Sequence, residues 1–386
     1  MLGLRHRPAR RLRDRRDRTH RADLRSGARL LRGADDPAPL RLVLPGRGAR
    51  AALRRVLRHR RPRRRLVQGG QLVTVTSEGQ VALALDLGGT KTEAALVNRD
   101  GGVIEGTRFR MPTGARSDSD QLWHAVRTVV LDALETIPSG LRLAGVGIGS
   151  AGPITHDAGL VSPLNLAAWR EFPLRDRVAE LVPDLPVRLE MDGICITLAE
   201  HWVGAAQGCA NLMGMIVSTG IGGGLILGGH TVPGPTGNAG HIGHVEAAGF
   251  DDPCACGGRG CIEAIASGPN TVRWARSAGF AGSTGEELAT AHAAGDPIAL
   301  AAVERSGRAI GQAIASATNL VDLEVVAIGG GFSHVSPALF DAIRAAIARR
   351  RNFSFVTKVQ VVPSALSGEG PLIGAGALVH RADVLG

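Results

Sequence analysis

From Val81 onward the chain alternates short apolar runs with longer amphipathic stretches. Val81-Ala-Leu-Ala-Leu-Asp86 reads as a buried strand and Thr92–Val97 as the next, joined through a glycine turn. Asn98-Arg-Asp-Gly-Gly102 is hairpin-turn chemistry and predicts a third strand at 103–110. Residues 118–136 alternate at helical spacing, and Leu143–Ile148 reads as a strand running into Gly149-Ser-Ala-Gly-Pro153. A strand at Leu185–Glu190 ends beside Asp192, ahead of a helix at about 193–206. Leu212–Ser218 and Leu225–Leu227 flank a second glycine turn. A long helix at 297–319 then leads to Val325–Ile328, a further helix, a strand at 359–362 and a Gly/Ala-rich final helix. Strands alternating with helices predict α/β layering. The strand, glycine turn, strand motif occurs near 86 and again near 219, which predicts two related halves around a cleft.

Charge changes the picture at the N-terminus. The whole chain carries +10, but residues 1–65 hold 23 Arg against 5 Asp, a balance of +18, which leaves −8 for residues 66–386. The basic character therefore belongs to the leader, and the globular part is mildly acidic. The leader has no sustained hydrophobic period. Three readings compete for it: an extended translation start, a disordered basic arm on nucleic acid, or a helix-turn-helix domain, whose three apolar-faced helices cannot be placed. Nucleic acid is accordingly not expected as a partner except through this leader. Five cysteines, three of them clustered, do not form a disulfide framework in a chain of 386 residues. No apolar run approaches the ~20 residues of a membrane span, so no membrane association and a cytoplasmic location are expected.

The two glycine turns carry the first candidate chemistry. Asp86-Leu-Gly88-Gly89-Thr90-Lys91 places an acid at a strand end, then two glycines, a hydroxyl and an ammonium. Backbone N–H groups at such glycines can approach a polyphosphate closely, and Asp86 could hold Mg²⁺ through water. Ser218-Thr219-Gly220-Ile-Gly222-Gly-Gly224 offers a second turn, and Gly329-Gly330-Gly331 a third close approach suited to a nucleoside. None has the Walker or dinucleotide spacing, and a glycine hairpin alone is often only a hairpin. Cys254, Cys256 and Cys261, with His244 ten residues upstream, supply a Cys₃His set suited to tetrahedral Zn²⁺. Four protein ligands leave no open position, so that metal would be structural; the alternative is a loop of free thiols. Cys195 and Cys209 read as small core residues. Asp192, at a strand end before a helix, reads first as a plain helix N-cap, with a catalytic carboxylate as the alternative.

Taken together, the DxGGTK turn (Asp86–Lys91), the STGIGGG turn (Ser218–Gly224), the Gly237-Asn-Ala-Gly-His-Ile-Gly-His244 run, the CxCGxxGCxE module (Cys254–Glu263) and the late Gly329–Gly331 resemble the ROK family (repressor, open reading frame, kinase). The resemblance covers about residues 80–386. It implies an actin/hexokinase-like (ribonuclease-H-like) α/β fold of two domains around a central cleft, with ATP and a sugar meeting between them. The expected layout is a leader at 1–72, an N-terminal domain at 73–192 and a C-terminal domain with the zinc module at 193–386. The resemblance makes Asp192 the general base, with Gly152, Asn165, Asn238, His241, His244 and Glu263 on the sugar side, although Asn165 reads as well as a turn residue. It also favours a homodimer or homotetramer. Two positions depart from the family pattern: Met191 replaces the Asn before the base, and His241 replaces a Glu. In kinases of the family both side chains meet sugar hydroxyls, so the departures should redirect or weaken sugar choice. His241 either replaces the Glu as a hydroxyl ligand, pairs with Asp192, marks a site that no longer phosphorylates, or is a surface-loop histidine. The leading expectation is an ATP- and Mg²⁺-dependent kinase of glucose or an N-acyl hexosamine. The alternatives are a sugar-responsive transcriptional regulator and a non-catalytic sugar sensor.

Overall fold

Residues 80–98 and 212–227 each rise along a buried strand, turn on glycines and return antiparallel. The computed structural model describes residues 79–114, 116–366 and 368–386, all within one structural unit. The leader 1–72, and every reading of it, lies outside the described residues. The first half contains β1 (Gln80–Leu87), β2 (Lys91–Asn98), β3 (Phe109–Pro112), α1 (Ser119–Glu135), β4 (Arg142–Ser150), β5 (Ile154–Thr155), β6 (Leu160–Val161), α2 (Leu174–Ala179), β7 (Val187–Met191) and α3 (Asp192–Trp202). The second contains β8 (Leu212–Val217), β9 (Ile221–Leu227), β10 (His230–Thr231), α4 (Ile262–Ala266), α5 (Gly268–Ser277), α6 (Gly285–Ala293), α7 (Pro297–Val321), β11 (Val325–Gly329), α8 (Pro337–Ala348), α9 (Ser354–Thr357), β12 (Gln360–Pro363) and α10 (Gly370–His380).

The strands form two five-stranded sheets of the same plan, β3-β2-β1-β4-β7 and β10-β9-β8-β11-β12, with β5 and β6 a separate hairpin. In each sheet the first three strands are antiparallel and the last two run parallel to the middle one. Strands buried on both faces read as continuous apolar runs, which is why β1 was legible as Val-Ala-Leu-Ala-Leu. Helix α1 starts on an Asp118–Gln121 capping box and sends Leu122, Val126, Val129 and Val130 into the first core. Helix α7 starts on Asp296, with Pro297 in its first turn, and packs Val303, Ile310 and Ile314 into the second.

The last helix, α10, returns to the first half: Leu372, Ala375 and Leu378 belong to the same core as β1 and β4. It crosses α3 so closely that a Cβ on Gly374 would collide with the Cys195 carbonyl. The α3 end carrying Asp192 is pressed in turn onto β9, where Gly193 faces the Gly223 backbone without room for a side chain. Among the other cysteines, Cys195 is buried and Cys209 half-buried.

Two sequence expectations need correction. The third strand lies at 109–112 rather than 103–110, preceded only by a single Val97–Val103 bridge. Thr107 is the cause. Its hydroxyl donates to the Ile104 carbonyl at 2.7 Å and accepts from the Leu96 N–H at 3.1 Å, taking the place of a ladder bond. Helix α3 ends at Trp202 rather than 206, because the buried Glu200 carboxylate captures the Ala205 N–H at 2.7 Å. Helices α5 and α6 lie in a region for which the apolar pattern made no prediction.

Candidate active site

The two glycine turns face each other across a cavity of about 440 Å³. From the first turn it receives Asp86, Gly88, Gly89, Thr90 and Lys91; from the second, Thr219, Gly220 and Gly222; from the end of β11, Gly330 and Gly331. Gly152, Asn165, Asp192, His241, His244 and Glu263 complete the wall. Sequence reasoning also placed Gly329 and Asn238 there. Gly329 is the last residue of β11 and does not line the cavity, and Asn238 is turned onto the backbone of Ile154.

The first turn is closed by the Gly88 N–H donating to the Lys91 carbonyl at 3.0 Å. Asn165 lies directly over Gly89, where any side chain would strike its amide. Lys91 donates to Glu93 at 3.1 Å, and Glu93 also accepts from Arg108 at 2.9 Å and from Arg110. Burial alone would raise the Glu93 carboxyl, but Arg108 and Lys91 outweigh it and hold the group below its ordinary value. Sequence reasoning missed Glu93, although its spacing of two from Lys91 on a strand puts both on one face. Ile196, Ile216, Leu164 and Pro371 were missed as well; they supply the apolar lining, and no local motif marks them.

Asp86 ends β1 and Asp192 follows β7, so strand ends of one sheet bring two carboxylates to the same cavity. Burial, and then repulsion from Asp192 and Glu93, pushes Asp86 up to about 7. Burial also raises Asp192, to about 6; the Gly193 N–H, donating at 2.7 Å, opposes this and Glu263 adds to it. Buried Asp86 and half-buried Asp192, carboxylates of one cavity that resist joint ionisation, favour a bound cation, so Asp86 and its surroundings fit Mg²⁺. Asp192 is the first residue of α3 and Met191 is its N-cap, so the N-cap reading of Asp192 fails by one residue. The second turn has no acid of its own; Glu263 reaches it from α4, accepts from the Ile221 N–H at 2.9 Å and so pins the start of β9, while Asp192 Oδ1 would lie 3.7 Å from a Cβ on Gly222.

His244, Cys254, Cys256 and Cys261 bring their ligand atoms within 4.8 Å of one another. Cys254 Sγ lies 3.6 Å from His244 Nδ1 and Cys256 Sγ 3.7 Å from Cys261 Sγ. Tetrahedral Zn²⁺ with bonds of ~2.3 Å to sulfur and ~2.05 Å to nitrogen implies separations of ~3.6 and ~3.8 Å. The set could therefore hold zinc with no free coordination position. Arg305 fastens this loop to α7 by paired bonds of 2.7 and 2.6 Å to Asp252, while its guanidinium lies over Phe250 and Trp274. The His244 ring also lines the cavity, 5.0 Å from that of His241.

A model of the ROK family matches residues 82–382. The chain belongs to the ROK family. Among curated relatives, a glucokinase of Thermotoga maritima is 32% identical over 316 residues, which span 78% of this chain and 97% of that protein. A ROK family glucokinase from Streptomyces griseus, solved in complex with glucose and AMPPNP, superposes with a TM-score of 0.67 at 29% identity, covering 78% of this chain and 99% of that one. A ROK family transcriptional regulator, a homologue of the E. coli MLC protein, gives 0.68 at 25% identity, over 79% of this chain and 78% of its own. The fold is thus the actin/hexokinase-like fold of ROK sugar kinases.

Within this ROK chain the two departures from the family pattern are neighbours. A Cβ placed on Gly152 would lie 3.0 Å from Met191 Sδ and 3.3 Å from His241 Cε1. The thioether and the imidazole therefore both close on Gly152, which has little room for a side chain. His241 is not a surface-loop residue: its ring lines the cavity, and burial, then the neighbouring His244, lowers its pKa.

Proposed function

We propose that the chain is an ATP-dependent sugar kinase that phosphorylates a hexose, glucose or an N-acyl hexosamine, with Asp192 as general base. The observation that carries this reading is the place of the Asp192 carboxyl, half-buried and facing a cavity walled by both glycine turns, where desolvation pushes it up to about 6. A base poised near neutral pH can take a hydroxyl proton during attack. The sugar oxygen would form its bond to the γ-phosphorus as the bond from γ-phosphorus to the bridging oxygen of ADP breaks; the proton passes to Asp192 and ADP leaves. Backbone N–H groups of Gly89–Thr90 and Thr219–Gly220 would hold phosphate oxygens, Gly88 shaping the turn, with Lys91 as a point charge and Gly330–Gly331 admitting the nucleoside. Asp86 would hold Mg²⁺, which when bound supplies charge neutralisation at the phosphates. On the sugar side Gly152, Asn165, His241, His244 and Glu263 would meet the acceptor, and Asn238 would act through the backbone it grips. Met191 and His241 would alter which sugar is taken. Zinc on His244, Cys254, Cys256 and Cys261 would be structural, fixing the loop between His241 and Glu263.

The match to a ROK transcriptional regulator favours a second reading, a sugar-responsive regulator. Two results separate them. A kinase releases ADP in the presence of a hexose and loses this in Asp192→Asn. A regulator binds a specific DNA through residues 1–72 and loses it when they are deleted. Measuring ADP release by the full chain over a panel of hexoses and N-acyl hexosamines is the deciding experiment; no sugar-dependent ADP with any of them would overturn the kinase reading.

A further inference from the structure

The cavity wall beside Asp192 is built on the small hairpin β5–β6, whose two feet reach the site: Gly152 on the way in, Leu164 and Asn165 on the way out. The feet are tied to each other, the Leu164 N–H donating to the Gly152 carbonyl at 3.3 Å and the Ser162 N–H to the Pro153 carbonyl at 2.9 Å. A hairpin of two-residue strands has little stability of its own, so its orientation must come from what grips it.

Several contacts from outside the hairpin do so: Phe172 pairs with Val161 through two backbone bonds of 3.0 Å, Arg175 donates to the His156 carbonyl at 3.3 Å and to the Asp157 carbonyl at 3.2 Å, and two further side-chain contacts tie it to the elements around the site. Asn238 accepts from the Ile154 N–H at 3.0 Å and donates to the Ile154 carbonyl at 2.8 Å, acting as the neighbouring strand that Ile154 lacks. His156, at the turn, meets Glu190 across 3.0 Å. Glu190 lies on β7 two residues before Asp192; it is 7% exposed, and its second oxygen has no hydrogen-bond partner among the described residues. The pair therefore links the hairpin to the strand that delivers the base. Gly237 makes room for this arrangement, since a Cβ there would come within 2.7 Å of His156 Cβ.

We propose that Asn238 and the His156–Glu190 pair are positioning residues for the acceptor sugar, locking the hairpin onto β7 and onto the segment that carries His241, so that Gly152, Leu164 and Asn165 keep one geometry against Asp192. The role in catalysis rests on the kinase reading above, whereas the lock itself does not. A sub-ångström shift of this wall misplaces the acceptor oxygen while leaving the phosphate turns untouched, so acceptor and donor should respond differently.

The test uses the full chain with Asn238→Ala, Asn238→Asp, His156→Ala and His156→Gln. KM is measured separately for ATP and for glucose and N-acetylglucosamine, and amide hydrogen exchange is measured on each protein. Asn238→Ala is expected to raise the acceptor KM ~10-fold or more while leaving the ATP KM within about twofold. Exchange should accelerate in 152–166 but not in the β8–β9 turn. Asn238→Asp keeps the acceptor and loses the donor, so it should fall between. His156→Gln, which can still donate to Glu190, should recover most of what His156→Ala loses. A parallel rise in both KM values, or exchange in 152–166 unchanged by Asn238→Ala, would overturn the proposal. If neither sugar supports ADP release by the unmodified chain, the kinase reading fails with these acceptors and with it the catalytic role, and the exchange data still decide whether the lock exists.

Discussion

The two halves share a strand order but not a chemistry. The first glycine turn is charged: Asp86 and Lys91 belong to it, Glu93 lies behind it, and the same sheet delivers Asp192. The second turn itself offers Ser218, Thr219 and glycine backbone, and Glu263, which reaches it from α4, is committed to the Ile221 N–H. One scaffold thus appears once with titrating groups and once with fixed dipoles. A fixed dipole costs no reorganisation and works at any pH, whereas a buried acid must be poised. Putting both kinds around one cavity separates holding from proton transfer.

The largest test of that division is Asp192→Asn, which should lower the sugar-dependent rate ~10²-fold or more at pH 8. Second-half substitutions should cost less. Gly220→Ala drives a Cβ to 2.7 Å from Glu263 Oε2 and frees the Ile221 N–H, and a fall of ~10-fold in kcat/KM is expected. Cys256→Ser should release the metal, read by elemental analysis, and lower Tm, with the sugar KM rising more than the ATP KM, because the loop between His241 and Glu263 loosens.

The pH profile sharpens the contrast further. The rate should fall as pH drops through about 6, where Asp192 takes up its proton, and Thr219→Ala should leave that limb in place. Stability moves the other way. Asp86 has its pKa raised by folding, so the folded chain binds more protons than the unfolded one between about pH 4 and 7, and stability is lost as pH rises through this window. Asp86→Asn should therefore raise the Tm of the ligand-free protein at pH 8, by a few degrees at most, while the unmodified protein gains more from added Mg²⁺–nucleotide. An unchanged Tm would argue against the buried-acid assignment.

What could be read from the sequence was what is local. Each glycine turn is contiguous, and His244, Cys254, Cys256 and Cys261, which could hold zinc, lie within 18 residues of one another. β1 and β8 announce themselves by unbroken apolar runs. Glu93 carries a local signal, its spacing of two from Lys91 on one strand, whereas Ile196 and Ile216 join the site only because sheets and helices converge, and no motif beside them says so. Asn238 shows the opposite failure: it sits inside a legible motif, yet its amide is spent on Ile154, 84 positions away. Third-strand placement failed for a smaller reason, a hydroxyl on Thr107 that satisfies a backbone group a strand would have used.

Helix α10 has a consequence for how the protein comes into being. A ribosome delivers β1 and β4 well before Leu372, Ala375 and Leu378, which pack against them. Until α10 emerges, the earlier half carries an apolar face without its cover. A nascent chain stalled before Gly370 should accordingly be captured by chaperones and cut by proteases, and a stop codon ahead of Gly370 should cost the whole first half rather than one helix.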